Sequence, residues 1–538
     1  MAMMTDKFTA RLRQGSIDIG CIQDQGAREY QEDSVGFSPL PGEGTAERFL
    51  AVVADGMGGM ASGAFVSGYT VKNLLAADIG SPEELKAAAC RISGEIAAGG
   101  SRGGTTLAAV CVLPGGVYFC SVGDSRIYLF RDGVLARLTA DQDYMSVLLD
   151  RVIDGKISWL QAQEDPERNA LAQFVGSGML LSPDMNCVPL AVQPGDRLLI
   201  CSDGVYNALS EAELSQSLTL TAGGASEDIL GRILAHGYTN QDNFTAVVMH
   251  FLPGWNSDDR SDDVPSEKTT LHIDSAFHTG AGGRDENQDA LFCGGGVYAV
   301  ADGLGGHKNG GKAARAAVDH ISARSSGDLS PEGVNALFEG ANTAVGRTGG
   351  KAAAAAAFAR DGVFTWGHVG DCRVYYFRGG RITFQTRDHS VCQVAVELGQ
   401  ITPEDIRGNE DRSGLMKALG SEPELDIREH CEPLGMLPGD AFLVCTDGFW
   451  EHVHEREMET DLIKSRSAAE WLNSMLKRHM LSAHDSGDNY TAVCGIVTNT
   501  PEPQETSPVR QRSRFPVLIP VGIAALAAVV ILILLFFR

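Results

Sequence analysis

Ten aspartates set the chemistry open to this chain, because they fall in the same order twice. Asp33, Asp55, Asp124, Asp203 and Asp242 come first, and Asp289, Asp302, Asp371, Asp447 and Asp488 follow. Asp55, Asp203, Asp302 and Asp447 each close a short apolar run and precede a glycine. That puts a carboxylate on a rigid strand end, beside a residue that lets the backbone approach a ligand closely. The matched positions offer oxygen donors and no imidazole or thiolate, which suits hard cations such as Mg²⁺ or Mn²⁺ and disfavours zinc. Two adjacent cations can lower the pKa of a bridging water and neutralise a phosphoryl group during in-line displacement. A single Asp-Gly is ordinarily only a turn. The repeated order is what points to metal.

The segments around these acids repeat as well. FLAVVADGMGG, with Asp55, returns as VYAVADGLGG, with Asp302, a shift of 302 − 55 = 247. SVGDSRIYLFRDG returns as HVGDCRVYYFRGG, and 371 − 124 = 247. PGDRLLICSDGV returns as PGDAFLVCTDGF, and 447 − 203 = 244; DNFTAVVMHF returns as DNYTAVCGIV, and 488 − 242 = 246. A tandem duplication is the reading. The expected units are 15–252 and 271–498, separated by an acidic linker over 253–270. A Pro- and Ser-rich linker over 499–516 leads to an apolar stretch over 517–537.

Within each unit, strands alternate with helices. Phe49–Ala54 and Leu198–Cys201 read as short buried strands, and Val117–Leu138 as strands around the turn Arg131-Asp132-Gly133-Val134. Ser81-Pro82-Glu83-Glu84 reads as a helix start, with Ser as cap, Pro in the first turn and Glu at the positive end of the dipole. The stretch 517–537 has no charge and suits a transmembrane helix. Arg510, Arg512 and Arg514 before it predict that the large N-terminal part stays in the cytoplasm.

The formal net charge of −25 makes nucleic acid an unlikely partner, since an acidic surface repels a phosphate backbone. Twelve cysteines occur with no CxxC pair, several in apolar runs, which predicts buried thiols in a reducing compartment.

Both units resemble the PPM-type family of metal-dependent phosphatases, also called protein phosphatase 2C. The resemblance rests, in the first unit, on Arg28-Glu29-Tyr30-Gln31-Glu32-Asp33, Ala54-Asp55-Gly56-Met57-Gly58-Gly59 and Gly103-Gly104-Thr105-Thr106. Gly123-Asp124-Ser125-Arg126, Ser202-Asp203-Gly204 and Asp242-Asn243 complete it. It implies an α+β fold: two α-β-β-α sandwich domains, followed here by the single C-terminal helix. It implies that Asp33, Asp55, Asp203, Asp242 and the Gly56 carbonyl hold a binuclear Mn²⁺ or Mg²⁺ centre. Glu32 would act through metal-bound water, Asp124 would help hold a third, weaker metal, and Arg28 would clamp the substrate phosphate. In the second unit the matching residues are Arg284, Asp289, Asp302, Gly303, Asp371, Asp447 and Asp488. The implied reaction is hydrolysis of phosphoserine or phosphothreonine in proteins by a metal-bridging hydroxide, opposing a serine/threonine kinase. The Asp-Gly-Met-Gly-Gly form looks bacterial, implying the inner membrane as the anchor's destination.

Each copy departs from the pattern. Glu32 becomes Gln288, and Gly103-Gly104-Thr105-Thr106 aligns with Gly349-Gly350-Lys351-Ala352, followed by an alanine run. Asp388-His389-Ser390 becomes Asp141-Gln142-Asp143 in the first copy, and the next stretch, roughly 144–185, diverges most. His307 has Met60 as its counterpart, and His307 or His389 could serve as a general acid. Two alternatives to a pair of phosphatases follow. One unit catalyses while the other regulates or binds phosphoprotein, or the chain is a non-catalytic membrane scaffold.

Overall fold

The apolar run Phe49–Ala54 has no polar face because both of its faces are covered. Phe49, Ala51 and Val53 point into one core, and Leu50, Val52 and Ala54 into another. A strand buried on both sides reads as continuous hydrophobic sequence rather than as alternation. The computed structural model describes residues 4–499 apart from 40–44, 59–60, 101–102, 179–181, 257–270, 305–308, 325–326, 422–424, 426–432 and 485–486.

The first half begins with β1 (Met4–Leu12), β2 (Gly15–Asp24), β3 (Ser34–Ser38), β4 (Thr45–Ala46), β5 (Phe49–Ala54) and β6 (Gly56–Met57). Helices α1 (Ala61–Leu75) and α2 (Pro82–Ala98) follow. Then come β7 (Gly104–Thr105), β8 (Leu107–Leu113), β9 (Gly116–Val122), β10 (Arg126–Arg131) and β11 (Val134–Arg137). After α3 (Tyr144–Ile153), α4 (Trp159–Gln163), β12 (Asp184–Met185) and β13 (Arg197–Cys201) come α5 (Asp203–Tyr206), α6 (Glu211–Ser217), α7 (Ala222–His236) and β14 (Phe244–Phe251). One sheet has the order β11-β10-β13-β14-β2-β1-β4 and the other β12-β9-β8-β5-β3. Between them Phe49, Val110 and Phe119 meet Ile19, Ile200 and Met249. On the outer face of one sheet Val66, Leu74, Leu85 and Ile92 from α1 and α2 pack on Leu50 and Val52. On the other, Leu214, Ile229 and Ile233 from α6 and α7 pack on Ile22, Leu199 and Val248. This is the expected α-β-β-α layering. As the sequence predicts, Ser81 caps α2 by accepting from the Glu84 N–H at 3.2 Å.

The first half is longer than its motifs suggest. Strand β1 lies before residue 15, pairs with β2 along its whole length, and packs Met4, Phe8 and Ala10 on the core between the sheets. Trp255, within the stretch expected to be linker, is buried in the same core with its ring edge-on to Phe251. A lone tryptophan in a polar stretch has no period to betray its burial.

The second half contains β15 (His272–Gly280), β16 (Ala290–Gly294), β17 (Val297–Gly303), α8 (Gly310–Arg324), α9 (Pro331–Gly346), β18 (Ala352–Arg360), β19 (Val363–Val369), β20 (Arg373–Arg378) and β21 (Arg381–Gln385). It continues with α10 (Val391–Glu397), β22 (Leu434–Gly435), β23 (Ala441–Cys445), α11 (Asp447–Trp450), α12 (Glu455–Lys464), α13 (Ala468–Ala483) and β24 (Tyr490–Thr498). Its sheets run β15-β24-β23-β20-β21 and β16-β17-β18-β19-β22. These are the strand orders of the first half without β1 and β4. The alanine run is strand β18, sending Ala354 and Ala356 toward α8 and α9 and Ala353 and Ala355 toward the other sheet. Alanine favours helix intrinsically, and pairing between β17 and β19 overrides that preference.

The two halves share packing. Ile463, on α12, is 4% exposed and belongs to the core of the first half. Its carbonyl accepts from the Cys187 and Val188 N–H groups at 2.7 and 3.0 Å. Arg381 donates to the Ala191 carbonyl at 2.5 Å. Among the described residues no helix is long and apolar enough to cross a membrane, and the expected span at 517–537 lies outside them. Cys431 also lies outside them, and none of the other cysteines is in a disulfide.

We expect Ile463→Ala to cost about 2–5 kcal/mol, the usual range for truncating a buried aliphatic side chain. The loss should reach the first half, with faster amide hydrogen exchange in β9 and β13. Unchanged protection there would show that the core is not shared.

Candidate metal centre

In the first half the acids gather where strand ends and loops of both sheets meet. Asp33 sits just before β3 and is 5% exposed. One of its oxygens accepts from the Ser202 and Thr245 hydroxyls at 2.8 and 2.7 Å. Asp55 follows β5; its N–H donates to Thr106 Oγ1 at 2.9 Å, and its carbonyl accepts from Thr105 Oγ1 at 2.7 Å. Asp203 opens α5, Asp124 follows β9, and Asp242 precedes β14. A Cβ on Gly56 would lie 2.4 Å from the Gly63 carbonyl oxygen, so only glycine fits where α1 closes on this turn. Glu32 rests against the first turn of α1 at Gly63, and burial raises its carboxyl above the ordinary value while Arg28 and the Gly63 N–H pull it back. Arg28, 59% exposed, pairs with Asp242 at the rim.

The second half assembles its acids in the same way. Asp289 accepts from the Thr446 and Thr491 hydroxyls at 3.0 and 2.6 Å. Asp302 ends β17 beside Gly303, whose Cβ would strike Gly310. Asp447 opens α11, and the Asp371 carbonyl accepts from Trp450 Nε1 at 2.9 Å. Arg284 pairs with Asp488 at 2.7 Å. Gln288 takes the place of Glu32, its Oε1 turned toward Gly310.

Burial and mutual repulsion dominate the electrostatics. Burial pushes Asp33 up to about 7, with Asp203 and Asp242 adding to the rise. Burial and then Asp203 push Asp124 up to about 6. Asp55 lies well above its ordinary value, from burial and then its neighbours Asp33, Asp203 and Asp124. In the second half burial carries Asp289 to about 6 and Asp371 to about 7, and burial holds Asp302 and Asp447 well above their ordinary value. One oxygen on each of Asp33, Asp203, Asp289 and Asp371 is buried and receives no hydrogen bond. Asp55 lies beside Asp203, and Asp302 beside Asp289, near enough to share a proton. A buried carboxylate oxygen without a donor calls for a cation or a proton.

These residues fit hard divalent cations. The donors are all oxygen, Asp33, Asp203, Asp289 and Asp371 each keep one buried oxygen without a hydrogen bond, and a glycine follows Asp55, Asp203, Asp302 and Asp447. Among the described residues no three carboxylate, imidazole or thiolate side chains converge into a whole ligand shell. Water and the Gly56 carbonyl would complete it, in keeping with the reluctance of Mg²⁺ to shed its hydration.

The structure also corrects the alignment of the two copies. Strand pairing sets Gly303 opposite Ala352 and Asp302 opposite Ala353, whereas Gly56 faces Thr105. Thr105 and Thr106 therefore match Ala352 and Ala353, one residue beyond the sequence alignment. Ala352 and Ala353 stand where the Thr105 and Thr106 hydroxyls bond the Asp55 backbone, so the turn holding Asp302 lacks both supports, and the Thr106–Ser125 hydroxyl pair, 2.6 Å apart, becomes Ala353 and Cys372. His307 and Met60 lie outside the described residues. His389 accepts from the Gly370 N–H through Nδ1 at 3.2 Å, and Gln142 Oε1 accepts the equivalent bond from Gly123 at 3.1 Å.

Several residues quoted in the motifs turn out to have supporting roles that the sequence did not assign. Asn243 Oδ1 accepts from the Glu32 N–H at 2.7 Å, while its amide donates to the Gln25 and Tyr30 carbonyls, fixing the loop that carries Arg28. Asn489 does the same beside Gln288. Arg126 makes a forked pair with Asp141 at 3.0 and 2.7 Å, and Arg373 with Asp388 at 2.8 and 2.7 Å. The signal was available: Asp-Asn and Gly-Asp-x-Arg occur in both copies.

A family model described as Protein phosphatase 2C matches residues 31–235. The serine/threonine protein phosphatase PstP of Mycobacterium tuberculosis is 31% identical over 235 residues, 40% of this chain and 43% of that protein. The chain thus spans less than half the length of that relative. A putative protein phosphatase 2C-type protein of Streptococcus pyogenes is 30% identical over 232 residues, 37% of this chain and 85% of the relative. A crystal structure of the PstP catalytic domain in complex with two manganese ions is 26% identical, covering 43% of this chain and all of that one, with a TM-score of 0.38. With its layered sheets and inward-facing acids, the first half has the fold of a PPM-type phosphatase domain. The chain belongs to the protein phosphatase 2C family.

The raised acids fix how stability should depend on pH. Without a cation, their contribution to folding is complete below about pH 4, the ordinary carboxylate value. It is lost as pH rises through about 6 to 7, where Asp124, Asp289, Asp33 and Asp371 ionise. We expect Mn²⁺ to raise the melting temperature more at pH 8 than at pH 5. An equal rise at both would contradict the site.

Proposed function

We propose that the chain is a protein serine/threonine phosphatase with a binuclear Mn²⁺ or Mg²⁺ centre in its first half. The observation that carries this reading is the set of buried carboxylate oxygens without donors around Gly56, with an exposed arginine at the rim. Bound there, divalent cations would supply an activated water and neutralise the phosphoryl group. Asp33, Asp55, Asp203, Asp242 and the Gly56 carbonyl would hold them, with Asp124 and Asp203 serving a third ion. Arg28, tethered to Asp242, has the planar fork that grips a phosphate. Phosphorylated proteins, with a kinase working in opposition, are the partners this chemistry suits.

We further propose that the second half is a second domain of the same family, with Arg284, Asp289, Asp302, Gly303, Asp371, Asp447 and Asp488 in the matching roles. Its strand order and its repeated acids support this. The loss of the Thr105 and Thr106 hydroxyls and of the Glu32 carboxylate favours a second reading, in which that half regulates rather than catalyses. Anchoring at a bacterial inner membrane through 517–537, with both halves in the cytoplasm, is proposed from sequence alone. Sedimentation with membranes should end when residues 515–538 are removed.

A phosphothreonine-peptide assay with Mn²⁺ tests the chemistry. We expect Asp203→Asn to lose activity on the order of a hundredfold, the scale of one lost electrostatic stabiliser of a transition state. If Asp203→Asn, Asp447→Asn and the double variant all match the unmodified protein, the metal mechanism is wrong. If Asp447→Asn alone changes nothing, the second half does not turn over this substrate.

A further inference from the structure

Helix α13 of the second half lies along helix α3 of the first, and polar contacts join them. Lys477 Nζ is 2.8 Å from Asp150 Oδ1 and 3.4 Å from Ser146 Oγ. Asn473 donates to the same Asp150 oxygen at 3.0 Å. Lys464, at the end of α12, lies 2.8 Å from Asp184 and donates to the Leu138 carbonyl at 3.2 Å. That pair is nearly dry, with side chains 9% and 13% exposed. A little further on, the Trp159 ring of α4 lies 5.4 Å from the ring of His484. The segment that follows β11 is thus held from the second half at several points.

The same segment is tied to the first metal centre. Gln142 and Gly123 bond twice, N–H to carbonyl at 2.9 Å and N–H to Oε1 at 3.1 Å, and Gly123 precedes Asp124. Asp143 then caps α3 through the Ser146 N–H at 2.9 Å. Asp184, while paired with Lys464, also accepts from the Ala140 N–H at 2.7 Å. A cleft of about 730 Å³ opens between α3 and α13, with Arg126, Asp141 and Asp143 on its wall. Open space lies along that side of α3, while Ile153 at its C-terminal end packs on the apolar core of the second half, so the polar clasp and that contact together place the helix.

The clasp residues are particular to the second half. The helix caps Thr221 and Ser467 match, with 467 − 221 = 246, as do Asp242 and Asp488. At that spacing Asn473 and Lys477 replace Glu227 and Gly231, and Glu227 pairs with Lys7 of β1. The first half's own helix therefore lacks the cation that holds Asp150.

We propose that Asn473 and Lys477 are positioning residues for the first site. By holding Asp150 they fix α3 and, through Gln142, the Gly123–Asp124 turn, so the second half sets how firmly the first holds a phosphoprotein. The kinetic part of this proposal rests on the phosphatase reading; the mechanical part does not. Reciprocal variants at the two ends of this chain of contacts measure the coupling it carries.

The test uses the full-length chain carrying Asp447→Asn, so that turnover comes from the first half. With Lys477→Ala and Asn473→Ala together, amides of 144–153 should exchange about tenfold faster. KM for a phosphothreonine peptide should rise about five- to tenfold, the usual scale of coupling between sites, while kcat for p-nitrophenyl phosphate stays within about twofold. Lys477→Arg should keep the native values, and Asp150→Lys with Lys477→Asp should restore them. Unchanged exchange overturns the clasp. Faster exchange with unchanged KM, or an equal loss on both substrates, overturns the positioning role. If the Asp447→Asn chain has no phosphatase activity at all, the functional reading fails and the exchange comparison alone decides the clasp.

Discussion

Everything in the first half is arranged around a group of carboxylates that water cannot reach freely. Left to themselves, Asp33, Asp55, Asp124 and Asp203 repel one another and resist ionisation, which is why their proton affinities rise together. A fold tolerates such a group only if something else fixes it in place. Here the fixing is done by strand ends, which cannot move without breaking sheet pairing, and by hydroxyls from Ser202, Thr245, Thr105 and Thr106. Two facing sheets flanked by helices supply rigid edges from both sides, so acids far apart in sequence meet at one place.

The second half shows how much of that support can change while the acids stay. Hydroxyls still hold Asp289, but the pair beneath Asp55 has become Ala353 and Cys372. The guanidinium pair is kept and drier: Arg373 lies over the Trp450 ring at 3.4 Å, where Arg126 lies over Tyr206 at 3.6 Å. The retained parts fix backbone position near Asp124 and Asp371. The altered parts govern the strand opposite Asp55 and Asp302. The two halves therefore differ in the support around Asp55 and Asp302, and in the exchange of the Glu32 carboxylate for the Gln288 amide.

Much of this was legible in the sequence where a local rule decides. The doubly buried strand β5, the Ser81 cap and the turn at Asp132-Gly133 follow from patterning, capping and turn chemistry. So does the gathering of the acids, because they recur in one order at nearly one spacing. What could not be read depended on partners distant in sequence. The alanine run becomes strand only because neighbours pair with it. The Gly349-Gly350 pair draws the alignment one residue off, although the constant offset of 247 between the flanking acids already matches Thr105 and Thr106 to Ala352 and Ala353. Trp255 and β1 join the core through contacts made only after the sheets form. The Lys477–Asp150 contact crosses 327 positions, since 477 − 150 = 327, and two charged surface residues look alike whether or not they meet.

The sharing of Ile463 bears on whether the halves can be treated apart. A side chain of the second half helps complete the core of the first, and its carbonyl accepts from the Cys187 and Val188 N–H groups. Parting the halves between Asn256 and Leu271 would leave an apolar hollow on one piece and the isoleucine that fills it on the other. The second half can therefore matter to the first through its shape, whatever its own chemistry is.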